Sequence, residues 1–249
     1  MTKIILCGCF GRMGRVITDL VSGRDDCAIV AGVDLKSDVV SYPTYTSIAD
    51  VEEEADVILD FSHPTLLTDA LGYSAAHGAL PLVLCATGYS AEQVSALKEA
   101  SKTQPIFYSR NMSLGTNLLI ELSKKAAKVL GDGFDIEIIE KHHNQKIDAP
   151  SGTALMLADA IASVRDGESE YMYDRHSQRK KRDKAEIGIH SVRGGTIVGE
   201  HEVVFAGNHE VITLSHSAQS SELFATGAIS AVLYMSGKAP GLYDMSDMI

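Results

Sequence analysis

Short apolar runs recur along the first half of the chain, separated by stretches whose apolar positions fall three and four apart. Lys3–Gly8, Ala28–Asp34, Val57–Phe61, Pro81–Cys85 and the weaker Ile106–Tyr108 read as strands, since a strand covered on both faces is apolar throughout rather than alternating. Between them, Arg12–Val21, Pro64–His77 and Ala91–Ser101 read as helices. Strand and helix in alternation predict a parallel sheet with helices on both faces.

The pattern changes after about residue 112. Leu114–Leu130 reads as a long helix with Lys124, Lys125 and Lys128 on its exposed side, Phe134–Glu140 alternates as a strand, and Gly152–Val164 reads as a helix with Ser151 as N-cap. Glu186–Val192, Glu200–Phe205 and Glu210–Ser217 read as strands joined by Arg193-Gly194-Gly195 and Gly207-Asn208, two turn-like links. Strands following one another through short turns predict a mostly antiparallel sheet. Ser221–Met235 is a final apolar helix. The expected architecture is α/β: a parallel-sheet nucleotide domain over residues 1–112, and a second, α+β domain over 113–220.

Composition narrows the picture. The chain has 249 residues, 45% apolar and 22% charged, with a net charge of −11, which is ordinary globular usage. That acidity excludes a general nucleic-acid binder, because phosphate contacts need clustered Lys and Arg. The basic run from Arg175 to Lys184 lacks interleaved aromatics and reads as a mobile, solvated loop. Cys7, Cys9, Cys27 and Cys85 form no CxxC and read as buried free thiols in a reducing compartment. The longest uncharged stretch, 70–91, is broken by His77, Gly78, Pro81 and Gly88, and a span needs roughly 20 mostly apolar residues. A soluble, cytoplasmic protein without membrane partners is the expectation.

Two segments carry chemistry. Gly8-Cys9-Phe10-Gly11-Arg12-Met13-Gly14 follows a strand and opens a helix. Glycines there let the backbone approach a pyrophosphate, which the helix N-terminus attracts. Asp34 lies 20 residues beyond Gly14, at the end of the second strand, where an acid can accept from the ribose hydroxyls. It favours NADH, while Lys36 tolerates NADPH. The second segment runs from Glu140 to Ala154 and contains His142, His143, Lys146, Asp148 and Ser151. A histidine can give a proton at neutral pH, Lys146 can hold a carboxylate or serve as an acid, and the amides of Gly152 and Thr153 open a helix that can bind another carboxylate. This suits a small dianion. Adjacent histidines without HxxxH or HExxH spacing argue against a metal. His190, His201, His209 and His216 lie on strands without ligand spacing and read as structural or solvent-facing.

Glu140 to Ala154 resembles, at every fixed position, the E-x-H-H-x-x-K-x-D-A-P-S-G-T-A signature of the dihydrodipicolinate (4-hydroxy-tetrahydrodipicolinate) reductases. Gly11-Arg12-Met13-Gly14, Asp60-Phe61-Ser62, Asn111-Met112-Ser113-Leu114-Gly115, Ser191-Val192-Arg193-Gly194-Gly195 and Gly199-Glu200-His201 resemble further landmarks of that family. The resemblance implies a Rossmann-like nucleotide domain that residues 221–249 rejoin, and a substrate and tetramerisation domain. It implies NADH- or NADPH-dependent reduction of 4-hydroxy-tetrahydrodipicolinate in lysine and diaminopimelate biosynthesis, with hydride passing to ring C4 and a proton to C3.

The same resemblance places Gly8, Cys9, Phe10, Gly11, Arg12, Met13, Asp34, Cys85, Ala86, Thr87, Ser109, Arg110, Asn111 and Met112 along the dinucleotide. His142, or Lys146, would deliver the proton. His143, Lys146, Gly152 and Thr153 would hold a small cyclic dicarboxylate, and the enzyme would be a homotetramer. Two positions depart from the pattern: Cys85-Ala86-Thr87-Gly88 replaces the usual Gly-Thr-Thr-Gly, and Leu35 stands where many relatives carry a base directly after the ribose acid.

Overall fold

In the computed structural model, which describes residues 1–249, the chain begins with β1 (Thr2–Cys7), α1 (Arg12–Ser22), β2 (Cys27–Val33), a two-residue β3 (Thr44–Tyr45), β4 (Val57–Asp60), α2 (Leu67–Ala76), β5 (Leu82–Leu84), α3 (Ala91–Ala100) and β6 (Pro105–Tyr108). It continues with α4 (Leu114–Leu130), β7 (Asp135–His142), α5 (Gly152–Ala162), β8 (Glu170–Met172), β9 (Glu186–Arg193), β10 (Gly199–Ala206) and β11 (Val211–Ala218). It ends with α6 (Glu222–Met235) and β12 (Gly241–Tyr243). Two units result: Met1–Ser113 with Glu222–Ile249, and Leu114–Ser221. No helix is long and apolar enough to cross a membrane.

The first unit holds a seven-stranded sheet in the order β12-β6-β5-β4-β1-β2-β3, parallel throughout. Helices cover both faces. On one, Ile17 and Val21 of α1 and Ala225, Ala228 and Val232 of α6 pack on Ile4, Leu6, Leu59, Val83 and Phe107. On the other, Leu67, Ala70 and Leu97 of α2 and α3 pack on Ile5, Ile58, Leu82, Leu84 and Ile106. Burial from both sides is why these strands are apolar at consecutive positions. The chain order reverses between β1 and β4, the switch point where an open α/β sheet leaves a crevice at its carboxyl ends.

The second unit carries a five-stranded sheet in the order β11-β10-β7-β9-β8. Leu119, Ile120 and Ala127 of α4 and Leu157, Ala158 and Ile161 of α5 pack on Ile136, Ile138, Ile187, Ile189, Val203 and Phe205, all on one face. The sheet is mixed rather than mostly antiparallel. β10 pairs antiparallel with β11 and β7, whereas β7–β9 and β8–β9 are parallel. Gly207-Asn208 does close a hairpin between β10 and β11, but Arg193-Gly194-Gly195 does not, because β7 lies between β9 and β10. The segment from β7 to β9 contains α5 and is long enough for the crossover that parallel pairing needs.

The basic run is also not a free loop. Arg175 bonds Glu137 (2.8 Å) and Glu186 (2.6 Å), Lys180 approaches Glu186 at 3.2 Å, and Arg182 bonds Asp135 (3.0 Å) and Glu137 (3.1 Å). Arg182 also donates to the carbonyls of Ile136 (3.0 Å) and Glu186 (2.7 Å). The Glu186 side chain has no solvent exposure; Arg175 is the main cause of its carboxyl pKa falling to about 2. A buried carboxylate needs such partners, so sheet acids recruit the basic segment. Arg182→Ala should free it: trypsin should cut the variant within 175–184 faster than the parent, as followed by limited proteolysis and mass spectrometry. Equal cleavage rates would mean that Arg182 does not anchor the segment.

Candidate active site

At the carboxyl end of β1, Gly8 adopts a φ of +79° and Gly11 is the N-cap of α1, with no side chain capping that helix. The amides of its first turn therefore face outward without a built-in acceptor, the arrangement that accepts an anion. Gly14 is held by close approach: a Cβ there would come within 2.2 Å of the Gly8 carbonyl oxygen. Asp34, at the end of β2, reaches back to this turn. Its Oδ2 accepts from the Phe10 amide and its Oδ1 from the Lys36 amide, each at 3.0 Å. A cradle that a Cβ would fill, an uncapped helix and an acid beside both fit a dinucleotide's pyrophosphate and ribose.

The other expected cofactor residues follow β5 and β6 at the same edge of the parallel sheet. Cys85 (8% exposed), Ala86 (5%) and Met112 (3%) are buried, as is Cys9 (0%). Cys9, Cys85 and Met112 belong to the core between the sheet and α1/α6. What these positions present is therefore backbone, which accommodates Cys85-Ala86 in place of Gly-Thr. Thr87 and Arg110 are exposed. The Ser109–Ser113 turn is internally braced: Ser109 Oγ donates to the Asn111 carbonyl (2.9 Å) and Asn111 Oδ1 accepts from the Ser113 amide (2.9 Å). Nearby, Asp60 is fully buried and accepts at Oδ1 from the amide (2.8 Å) and hydroxyl (2.5 Å) of Ser62. Burial pushes its pKa up.

In the second unit the helix-facing side of β7 reads Ile136, Ile138, Glu140, His142, and apolar packing gives way to polar chemistry at its carboxyl end. His142 Nδ1 lies 2.5 Å from Glu140 Oε2. Arg193, paired with His142 across β7–β9, grips Glu140 with both terminal nitrogens at 2.8 Å. The Ser151 amide donates to Glu140 Oε1 at 3.1 Å. Burial alone would raise the Glu140 pKa, but Arg193 and His142 outweigh it and hold it at about 2. Burial lowers the His142 pKa, against the upward pull of Glu140. His142 Nε2 faces Gly199, where a Cβ would come within 3.1 Å.

His201 lies edge-on to His142, with centroids 5.2 Å apart, and shares a 3.0 Å hydrogen bond with Ser151 Oγ. Burial lowers its pKa to about 4. Ser151 caps α5, its Oγ accepting from the Ala154 amide at 3.1 Å. Gly152 and Thr153 therefore open the helix beside the histidines. Lys146, on the loop after β7, pairs with Asp148 at 2.9 Å. His143 starts that loop and is half-buried.

The profile described as "Dihydrodipicolinate reductase, N-terminus" matches residues 2–112, and "Dihydrodipicolinate reductase, C-terminus" matches 115–249. The chain belongs to the dihydrodipicolinate reductase family. It is 52% identical over 249 residues to the 4-hydroxy-tetrahydrodipicolinate reductase of Caldanaerobacter subterraneus subsp. tengcongensis, covering 100% of this chain and 98% of that one. To the enzyme of the same name from Clostridium novyi it is 50% identical over 250 residues, with 100% and 98% covered. The dipicolinate-bound dihydrodipicolinate reductase from Paenisporosarcina sp. TG-14 shares the fold, with a TM-score of 0.86, 24% identity and complete coverage of both chains.

Within this reductase fold, the turn residues and Asp34 come together in one unit, and His142, His143, Lys146, Gly152 and Thr153 gather at one end of β7 in the other. The residue-by-residue reading missed three neighbours: His201 as a buried partner of the site, and Glu140 and Arg193 as the ion pair behind His142. All three lie in the family-like segments, so the signal was present, but the contacts that bring Arg193 and His201 into the cluster cross 50 residues or more of chain. Gly14→Ala is expected to raise the dissociation constant for NADH at least about tenfold, or roughly 1.4 kcal/mol, by nucleotide fluorescence titration. Unchanged binding would remove the turn from the dinucleotide site.

Proposed function

We propose that this chain reduces 4-hydroxy-tetrahydrodipicolinate to tetrahydrodipicolinate in lysine and diaminopimelate biosynthesis: the 4-hydroxyl and a C3 proton leave as water, and the resulting C3–C4 double bond takes a hydride at C4 and a proton at C3. The observation that carries the reading is the buried His142–Glu140–Arg193 cluster beside the start of α5, in a chain alike over its whole length to reductases of that name. The nicotinamide, when bound, supplies the hydride for ring C4. NADH is the favoured reductant, because the Asp34 carboxylate suits a ribose diol better than a 2′-phosphate, and the exposed Lys36 tolerates NADPH. Gly8, Cys9, Phe10, Gly11, Arg12 and Met13 hold the nucleotide through the turn and the helix start. Cys85, Ala86, Thr87, Ser109, Arg110, Asn111 and Met112 hold it largely through backbone groups.

The substrate is a small cyclic dicarboxylate, the class to which the dipicolinate bound by the Paenisporosarcina enzyme belongs. The amides of Gly152 and Thr153 take one carboxylate at the start of α5. Lys146 and His143 take the other. His142 delivers the proton to C3. Its lowered pKa leaves it mostly neutral in the free protein at pH 7, and the two substrate carboxylates favour its charged form when they arrive.

The assembly is a homotetramer. Both helices of the second unit lie on one face of its sheet. The other face presents Ile139, Lys141, Val192 and Glu202, with Val192 45% exposed and Lys141 held at 3.0 Å from Glu200 and Glu202. A sheet face of this kind, apolar and ion-paired, is suited to a second copy. The cytoplasm is its place of work, in keeping with four buried free thiols.

Condensing pyruvate with aspartate semialdehyde by a synthase generates the labile substrate in place. The protein should then consume NADH or NADPH only when every component is present. His142→Gln should lower kcat by about 10²–10⁴-fold with NADH binding unchanged; near-normal turnover would take His142 out of the donor role. The pH profile carries a further expectation. A donor must be protonated, so kcat/KM should fall as pH rises through the lowered pKa of His142 in the free enzyme. The kcat profile, which reports the substrate complex, should fall at higher pH. Near-parental turnover in His142→Gln together with lost turnover in Lys146→Ala would assign the proton to Lys146.

A further inference from the structure

Four titratable groups surround the His142 imidazole: Glu140 on its own strand, Arg193 on β9, His201 on β10, and Lys146, itself paired with Asp148, on the following loop. The Glu140 carboxylate is ionised and accepts three further hydrogen bonds, two from Arg193 and one from the Ser151 amide. It has no proton to give, so Nδ1 of His142 must be the donor in the 2.5 Å bond between them. The transferable proton is then confined to Nε2.

The orientation of Glu140 is in turn set by Arg193. The guanidinium takes both carboxylate oxygens at 2.8 Å, and its Nη2 also donates to the Asp148 carbonyl at 2.6 Å. One side chain thus spans the end of β7 and the loop that carries Lys146. The backbone reinforces the junction, with the Gly194 amide donating to the His142 carbonyl (2.9 Å) and the Asn144 amide to the Gly195 carbonyl (3.2 Å). A planar fork can hold a carboxylate and a carbonyl at fixed angles, which a lysine ammonium cannot.

We propose that Arg193 is a positioning residue for the proton transfer: it fixes Glu140 so that the Nδ1 proton of His142 stays in place and only Nε2 exchanges with substrate, and it clamps the Lys146 loop at the same point. This rests on the reductase reading for its kinetic consequence, but not for its structural one. Arg193 acts through Glu140 and the loop, so a merely stabilising role must be separated from a positioning one.

The experiment uses Arg193→Met and Arg193→Lys in the full chain, with thermal unfolding to establish that each folds. Histidine side-chain ¹⁵N NMR on the free protein reads the tautomer and titration of His142, and the coupled assay reads kcat and KM. In the parent, neutral His142 should carry its proton on Nδ1. Arg193→Met leaves Glu140 facing His142 without its counter-charge, which favours the imidazolium. The His142 titration should therefore move to higher pH, the alkaline limb of kcat/KM should follow it, and kcat should fall about 10²-fold with NADH affinity unchanged. Arg193→Lys keeps the charge and loses the fork, so it should leave the titration near that of the parent while kcat falls about tenfold.

A folded Arg193→Met whose His142 tautomer and titration match the parent overturns the proposal, whatever its kcat. If Arg193→Met does not fold, parental kcat and KM in Arg193→Lys overturn it. A parent without reductase activity whose His142 titration still responds to Arg193→Met would count against the substrate assignment and leave the positioning role standing.

Discussion

A carboxylate with no exposure to solvent organises the chemistry of the second unit. Glu140 sits at the end of a strand whose earlier inward residues are Ile136 and Ile138, and removing one partner of a buried ion pair costs about 3–5 kcal/mol. Its partners must therefore be supplied together: His142 from β7, Arg193 from β9 and the Ser151 amide from the start of α5. This requirement ties strand order to function. β7 is flanked by β9, which brings Arg193, and by β10, which brings His201. A simple antiparallel sheet in sequence order would have put β9 beside β10 and left Glu140 without its guanidinium.

The two units solve their recognition problems by different means. In the first, the sheet edge proposed for the dinucleotide is largely main chain: a glycine turn, an uncapped helix and strand ends at which Cys9, Cys85 and Met112 pack into the core. Such an edge tolerates exchanges like Cys85-Ala86 for Gly-Thr, because the side chains at those positions are packing. In the second, the site is made of charged and titratable side chains whose protonation depends on one another. Burial lowers the His142 and His201 pKa values, while the Arg193 fork keeps Glu140 ionised. Substitutions there change proton affinity as well as shape.

Much of the local structure was legible in the residues. The apolar runs of the first unit became parallel strands, and Ser151 caps α5 through its side chain. What escaped was short or long-range. β3, β8 and β12 are two or three residues each, too brief to show a period, and they form by pairing with a neighbour already in place. The Arg175–Lys184 run carries the composition of a solvated loop, yet Glu137 and the buried Glu186 draw it onto the sheet. His201 has no motif spacing of its own; its burial comes from its place on β10, directly opposite Glu140 of β7.

The sequence by itself determined the longer elements, the glycine turn with its acid at Asp34, and the gathering of His142, His143, Lys146 and Asp148 on one short segment, because each depends on residues near one another in the chain. Only the tertiary structure decided that β7 pairs with β9 in parallel, that Arg193 rather than a nearer base stands behind Glu140, and that His201 joins the site. Those outcomes depend on which buried charges find partners, and that is set by strand order across 50 or more residues, a distance over which local pattern carries no information.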